Sequence, residues 1–143
     1  IAIGVFIFQH FSVSDNKQLV AEYWPYEEGL PVKMSTKDKY DDAMNAFKLE
    51  DFDKAEALLK TINSDTSSYF LGIIAYNKQN TKGASVYFSK VDEQSIYFHE
   101  AQFRLALIAL ITNDTATARK LLDAQIEQKT HFQKQAKEIL EKI

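Results

Sequence analysis

Apolar residues recur along most of this chain at steps of three and four, the period of a helix that buries one face. In "STKDKYDDAMNAFKLE" they fall at Tyr40, Ala43, Met44 and Phe47, and Ser35 with Asp38 stands in near-capping-box spacing ahead of them. A second stripe, Ala55, Leu58, Leu59 and Ile62, predicts a helix from about Phe52 to Ile62, broken by "NSDTSS". "YFLGIIAYNKQNTKGASVYF" repeats the plan: one helix, a polar turn at Asn77–Asn80, then a helix with Ala84, Phe88 and Val91 inward. A third pair, "SIYFHEAQFRLALIALI" and "TATARKLLDAQIEQ", is joined at "TND". A last helix, "HFQKQAKEILEKI", turns Phe132, Ala136, Ile139, Leu140 and Ile143 to one side. Upstream, "SDNKQLVAEYW" predicts a short helix with Ser14 as N-cap and Leu19, Val20 and Tyr23 on one side. No strand pattern competes after residue 12, so the expected class is all-α.

The helices repeat. Ala43, Gly72 and Ala106 each precede a second small residue, Ala55, Ala84 and Ala118, by 12 positions. Four residues beyond each second small residue comes a large apolar one, Leu59, Phe88 or Leu122, and four before each second small residue an N-capping type, Asp51, Asn80 or Asp114. The offsets between units are 29 and 34 residues. Gly72 is the informative member, because glycine inside a helix costs about 1 kcal/mol against alanine. A small residue there lets a second helix approach to about 8–10 Å, and the packing gained offsets that loss.

On these residues the chain resembles the tetratricopeptide repeat family, stacks of helix hairpins about 34 residues long. Leu71-Gly72 with Ala84 and Phe88 matches best, Leu105-Ala106 with Ala118 and Leu122 also fits, and the first unit is weaker. The resemblance covers roughly residues 36–128. It implies a right-handed α-solenoid of about three hairpins with a C-terminal capping helix, its solvating end. The family's proline between repeats is absent here. In such superhelices the first helices line a concave groove. Carried over, this lining is Tyr40, Met44 and Phe47, then Tyr69, Ile73 and Tyr76, then Phe103, Leu107 and Leu110. Those side chains are either a groove for an apolar peptide or simply core, covered by the next layer or by the N-terminal segment. The carboxylate-clamp version of the family, which grips chaperone tails with cations, is not supported: Tyr40, Met44 and Phe70 occupy corresponding positions and only Arg104 matches.

The chain opens on "IAIGVFIFQHFSVSD", with no charge before Asp15. That is shorter than the about 20 residues a spanning helix needs, and residues 1–13 are read as the end of a membrane anchor, with a buried core segment or the tail of a signal peptide as the alternatives. Only Lys17 accompanies Asp15 and Glu22 after the apolar run, whereas cytoplasmic flanks carry a Lys/Arg excess; the repeats are expected on the extracytoplasmic side, periplasmic if the source is bacterial. Residues 14–34 form a short helix and a linker, "PYEEGLPVKM", that holds both prolines. Residues 35–143 are the repeat domain. "LVAEYWPYEEGLP" followed directly by repeats also resembles the single-pass, membrane-anchored tetratricopeptide proteins of Gram-negative bacteria. Tyr23, Trp24 and Tyr26 there suit an interfacial aromatic belt, a partner contact, or a cover over the first repeat.

Composition narrows the function. The 143 residues carry a net charge of −3 with scattered Lys and Arg, so there is no basic stripe for nucleic acid. The absence of cysteine excludes disulfides and thiolate chemistry. His10, His99 and His131 are solitary, and no glycine-rich phosphate loop or nucleophile elbow occurs. No catalytic, metal or cofactor residue is expected, and no small-molecule substrate. The expected function is a membrane-tethered protein–protein interaction module, a non-catalytic subunit of a membrane-associated complex. The alternatives are a structural subunit whose groove is filled by its own N-terminal segment, or a carrier of a hydrophobic ligand.

Overall fold

The computed structural model describes residues 13–32 and 38–143. Among them lie eight helices and no strand: α1 (Val13–Tyr23), α2 (Asp41–Lys48), α3 (Phe52–Leu59), α4 (Asp65–Asn77), α5 (Thr81–Phe88), α6 (Phe98–Ile111), α7 (Thr115–Glu127) and α8 (Gln133–Lys142). They form two compact units, Pro25–Gln102 and residues 13–24 with Phe103–Ile143, so that the division falls within α6. The all-α class is as the periodicity predicts, and neighbouring helices pair: α2 with α3, α4 with α5, α7 with α8.

In the unit Pro25–Gln102 the pairing rests on small residues set against large ones. Ala43, Gly72, Ala55 and Ala84 are buried, as are Leu59 and Phe88. A Cβ placed on Gly72 would stand 2.6, 2.7 and 2.9 Å from three atoms of the Phe88 ring. That ring is wholly buried and cannot swing into solvent. Gly72 therefore serves the close approach expected of it. Between α3 and α4, Lys78 on the end of α4 bonds Asp53 and Glu56 at 2.7 Å each, and Lys60 meets Glu56 at 2.6 Å. Lys60 and then Lys78 hold the Glu56 carboxyl below its ordinary range; exposed pairs of this kind add little stability.

The other unit is closed by α1. The Asn16 amide, itself buried, donates to the Leu110 carbonyl at 3.0 Å and to Asn113 Oδ1 at 3.3 Å. Its Val20 side chain is fully buried. The Tyr23 hydroxyl donates to Glu138 Oε2 at 3.0 Å and accepts from Lys142 Nζ at 3.0 Å, which raises the Lys142 pKa. The Arg104 guanidinium lies 4.9 Å from the Trp24 ring centre, and Phe103 stacks on Phe132 at 4.2 Å. Ala106, Ala118 and Leu122 are all fully buried.

Four turns share one geometry. Glu50, Gln79, Asn113 and Lys129 follow a helix end with φ of 59, 61, 59 and 52°. At each, two amides turn back onto the helix: the Gln79 amide reaches the Tyr76 carbonyl at 2.9 Å and the Asn80 amide the Ala75 carbonyl at 2.8 Å. This is a Schellman end, in which the positive φ lets otherwise orphaned carbonyls be paired. Asp51, Asn80 and Asp114, the last residues of three such ends, are also the N-caps of the next helix, accepting from the amides of Lys54, Gly83 and Thr117. The Thr117 hydroxyl and amide hold the Asp114 carboxyl below its ordinary range. One residue finishes one helix and starts another, so the turn has no slack.

Several boundaries move. α2 begins at Asp41, with Tyr40 at its N-cap making no side-chain cap bond; Asp41 Oδ2 instead accepts from the Asp38 amide at 2.8 Å. Ser35 and residues 33–37 lie outside the described residues, as do residues 1–12 of the expected anchor. α3 ends at Leu59 rather than Ile62, and Val91 is buried from a loop beyond α5. Ser14 falls within α1 and not before it. No helix of the described residues is long and apolar enough to cross a membrane.

The turn geometry carries a test. A non-glycine residue at positive φ is strained by about 1 kcal/mol or more, so Gln79→Gly is expected to stabilise the fold by about 0.5–1 kcal/mol despite glycine's entropy. Gln79→Val is expected to destabilise it. Urea denaturation midpoints check both, and a lower midpoint for the glycine variant would show that the turn is not the strained element.

Candidate functional site

The nine residues of the expected groove divide between the two units. Tyr40, Met44, Phe47, Tyr69, Ile73 and Tyr76 belong to Pro25–Gln102, and Phe103, Leu107 and Leu110 to the other unit. Seven are buried; only Tyr40 and Tyr76 keep part of their surface. In the Pro25–Gln102 unit the reason is visible. The chain's own linker lies over the first helices.

Three contacts hold it. Glu27 folds back so that its Oε1 accepts the Gly29 amide at 3.1 Å, while its Oε2 accepts the Tyr69 hydroxyl at 2.9 Å. The Leu30 amide points at Met44 Sδ, 3.4 Å away. Gly29 adopts φ of 82°, a region that favours glycine. A Cβ there would stand 3.2 Å from Phe47 Cδ1 and 3.6 Å from Met44 Sδ. Glycine is thus needed twice over at this position, for its backbone angle and for how closely the linker runs above Met44 and Phe47.

Beneath the linker the aromatic rings form one network. Tyr69 stacks on Tyr97 with centroids 4.5 Å apart and planes 14° from parallel. Phe70 meets Phe47 at 5.4 Å and Tyr97 at 5.9 Å, both edge-on, and Phe47 reaches Phe52 at 5.9 Å. Such pairs contribute about 0.5–1.5 kcal/mol each beyond their buried area. Burial, and next the negative charge of Glu27, push the Tyr97 hydroxyl above its ordinary pKa. At the edge of the network Tyr40 shares a 2.7 Å hydrogen bond with Ser64, whose Oγ also caps α4 at the Ser67 amide.

The aromatic segment Tyr23, Trp24 and Tyr26 is not one cluster. Tyr23 and Trp24 are used by α1, against Glu138, Lys142 and Arg104, whereas Tyr26 is 90% exposed. Arg104, the one cation matching the clamp pattern, is buried against Trp24 and does not face an open groove. Glu27, which fastens the linker to Tyr69, and Tyr97, which stacks on Tyr69, were not singled out by sequence. Nothing about Glu27-Glu28 distinguishes a clasp from a solvated loop. The one usable signal was Gly29 between two prolines, which marks a fixed path without saying what it lies on.

No family model, curated protein or solved structure matches this chain.

The clasp predicts a non-additive pair. Glu27→Ala and Tyr69→Phe both remove the Glu27–Tyr69 hydrogen bond, and Glu27→Ala also the one from the Gly29 amide, so each is expected to cost about 1 kcal/mol or more and the double variant little more than Glu27→Ala alone. In Glu27→Ala the Gly29 and Leu30 amides should exchange with solvent faster while those of α4 do not. Fully additive losses with unchanged exchange at Gly29 would show that the carboxylate does not hold the linker.

Proposed function

We propose that this chain is a non-catalytic interaction module of the tetratricopeptide kind, tethered to a membrane by its N-terminal segment and working from the extracytoplasmic side. Its role is to position another protein, as one subunit of a membrane-associated complex. The paired helices, the in-phase small residues and the recurring capped turn support the repeat reading. The observation that supports the functional one is the linker: Glu27–Leu30 lies over Met44, Phe47 and Tyr69, three residues of the proposed partner face. This favours the reading in which the groove is filled by the chain's own segment. Partner contacts then fall to other surfaces, or to this one after the linker leaves. A hydrophobic-ligand carrier gains no support, since the linker already lies over Met44, Phe47 and Tyr69.

In-cell cross-linking followed by capture from solubilised membranes tests this, using the wild type and a variant whose residues 25–31 are replaced by Gly-Ser of equal length. Recovery of the same membrane proteins by both forms is expected if the linker is a permanent cover. Greater recovery by the replaced form would make the linker a displaceable competitor at the same face. Failure of both to retain any membrane protein above a non-binding control would overturn the interaction-module reading.

A further inference from the structure

A second surface of the Pro25–Gln102 unit is charged in the sense opposite to the chain as a whole. α3, the end of α4 and α5 enclose a cleft of about 480 Å³, lined among others by Lys60, Lys78, Lys82, Val86, Tyr87 and Lys90. Two of these lysines are answered by Asp53 and Glu56, as described above. Among the described residues Lys82 and Lys90 meet no carboxylate, and Lys90 Nζ lies against the Tyr87 ring, 5.3 Å from its centre. The chain nonetheless carries a net charge of −3.

Helix electrostatics accounts for some of these positions and not for others. Lys60 and Lys78 are C-cap residues of α3 and α4, where a cation is favoured by the helix dipole. Lys82 stands in the first turn of α5, where a cation is disfavoured, and no acidic residue accompanies it there. The helix does not gain from Lys82. Val86 follows Lys82 one turn later on α5 and Lys90 stands in the turn just past its end, all three lining the cleft. Val86 is an aliphatic side chain left 51% exposed between two uncompensated ammonium groups.

We propose that this cation–apolar–cation stripe is a docking surface for an acidic peptide segment of a partner protein. From Lys82 to Phe88 the helix rises about 9 Å, and the 3-10-type turn over Ser89 and Lys90, whose amide reaches the Tyr87 carbonyl, adds about 4 Å. In an extended chain, residues four apart span about 13 Å and the residue midway between them projects to the same side. The matching ligand is therefore an extended segment with carboxylates at the first and fifth positions and an apolar residue at the third. The carboxylates meet Lys82 and Lys90, and the apolar side chain lies on Val86 and Tyr87. Two surplus lysines are few for nucleic acid or an anionic membrane, whose binding grows with the number of charges neutralised. The apolar centre suits neither. This inference supplies the partner chemistry of the interaction-module reading and rests on it.

Fluorescence anisotropy with a labelled peptide Gly-Ser-Glu-Ser-Phe-Ser-Glu-Ser-Gly tests the surface directly. Saturable, salt-sensitive binding is expected, weakened at least tenfold by K82E/K90E and severalfold when the peptide's Phe becomes Ala or its second Glu moves two places. K82E/K90E lies on the surface and places a favourable charge at the start of α5, so its thermal melt is expected to match the wild type. No binding, or equal binding by K82E/K90E, would overturn the proposal. Tighter binding of a twelve-nucleotide oligo-dT or of phosphatidylserine vesicles than of the peptide would overturn it in favour of those ligands. A negative result leaves the capture experiment of the preceding subsection untouched, because that one manipulates the linker and not the cleft.

Discussion

The Pro25–Gln102 unit depends on how closely α5 can lie against α4, and that distance is set where the Phe88 ring rests on Gly72. With ring atoms under 3 Å from where a Cβ would stand, there is room for no other residue without movement. Interiors are packed near crystal density, so a displaced ring has nowhere to go without disturbing Tyr69, which lies 6.0 Å away centre to centre. The chain accepts glycine's poor helix propensity here because the alternative is to push two helices apart. Alanine fills the equivalent places at Ala43 and Ala106, both buried, where a methyl group is accommodated.

Around this contact the turns leave little freedom. A residue that ends one helix by a backbone bond and begins the next by a side-chain bond cannot shift along the chain without losing both. Asp51, Asn80 and Asp114 do this in the same way despite unequal spacing between the repeats. With the helices so placed, Tyr69 presents its hydroxyl to Glu27, and the linker acquires a fixed path. The consequence is that an apolar aromatic face of this unit is already in use by the chain itself. The basic cleft beside α5 lies on different side chains.

Much of this was legible in the sequence. The helical class, the caps and the role of Gly72 follow from periodicity and from small residues kept in phase, because local spacing dictates which side chains share a face. The beginning of α2 was not legible: Ser35 and Asp38 imitate a cap, whereas Asp41 accepts the Asp38 amide from inside the helix and Tyr40 precedes it uncapped. Nor were the left-handed residues, since Glu50, Gln79, Asn113 and Lys129 are not the glycines that usually announce such turns. The contacts of α1 were hidden for a different reason. Asn16 meets Leu110 and Tyr23 meets Glu138 across most of the chain's length, and no local pattern encodes a partner so distant. The expected groove lining was read without its environment, because nothing in Glu27 or Gly29 reveals that the linker bends back over Met44.

The central claim is that Gly72 and Phe88 are a single packing unit. A double-mutant cycle of Gly72→Ala and Phe88→Leu, read by chemical denaturation, tests it most directly. Each single change is expected to destabilise, by about 1–3 kcal/mol. The double variant should recover part of that loss, with a coupling of about 1 kcal/mol or more, because the smaller side chain makes room for the methyl group. Losses that add to within about 0.3 kcal/mol would mean that the two positions do not touch in solution, and would contradict the account.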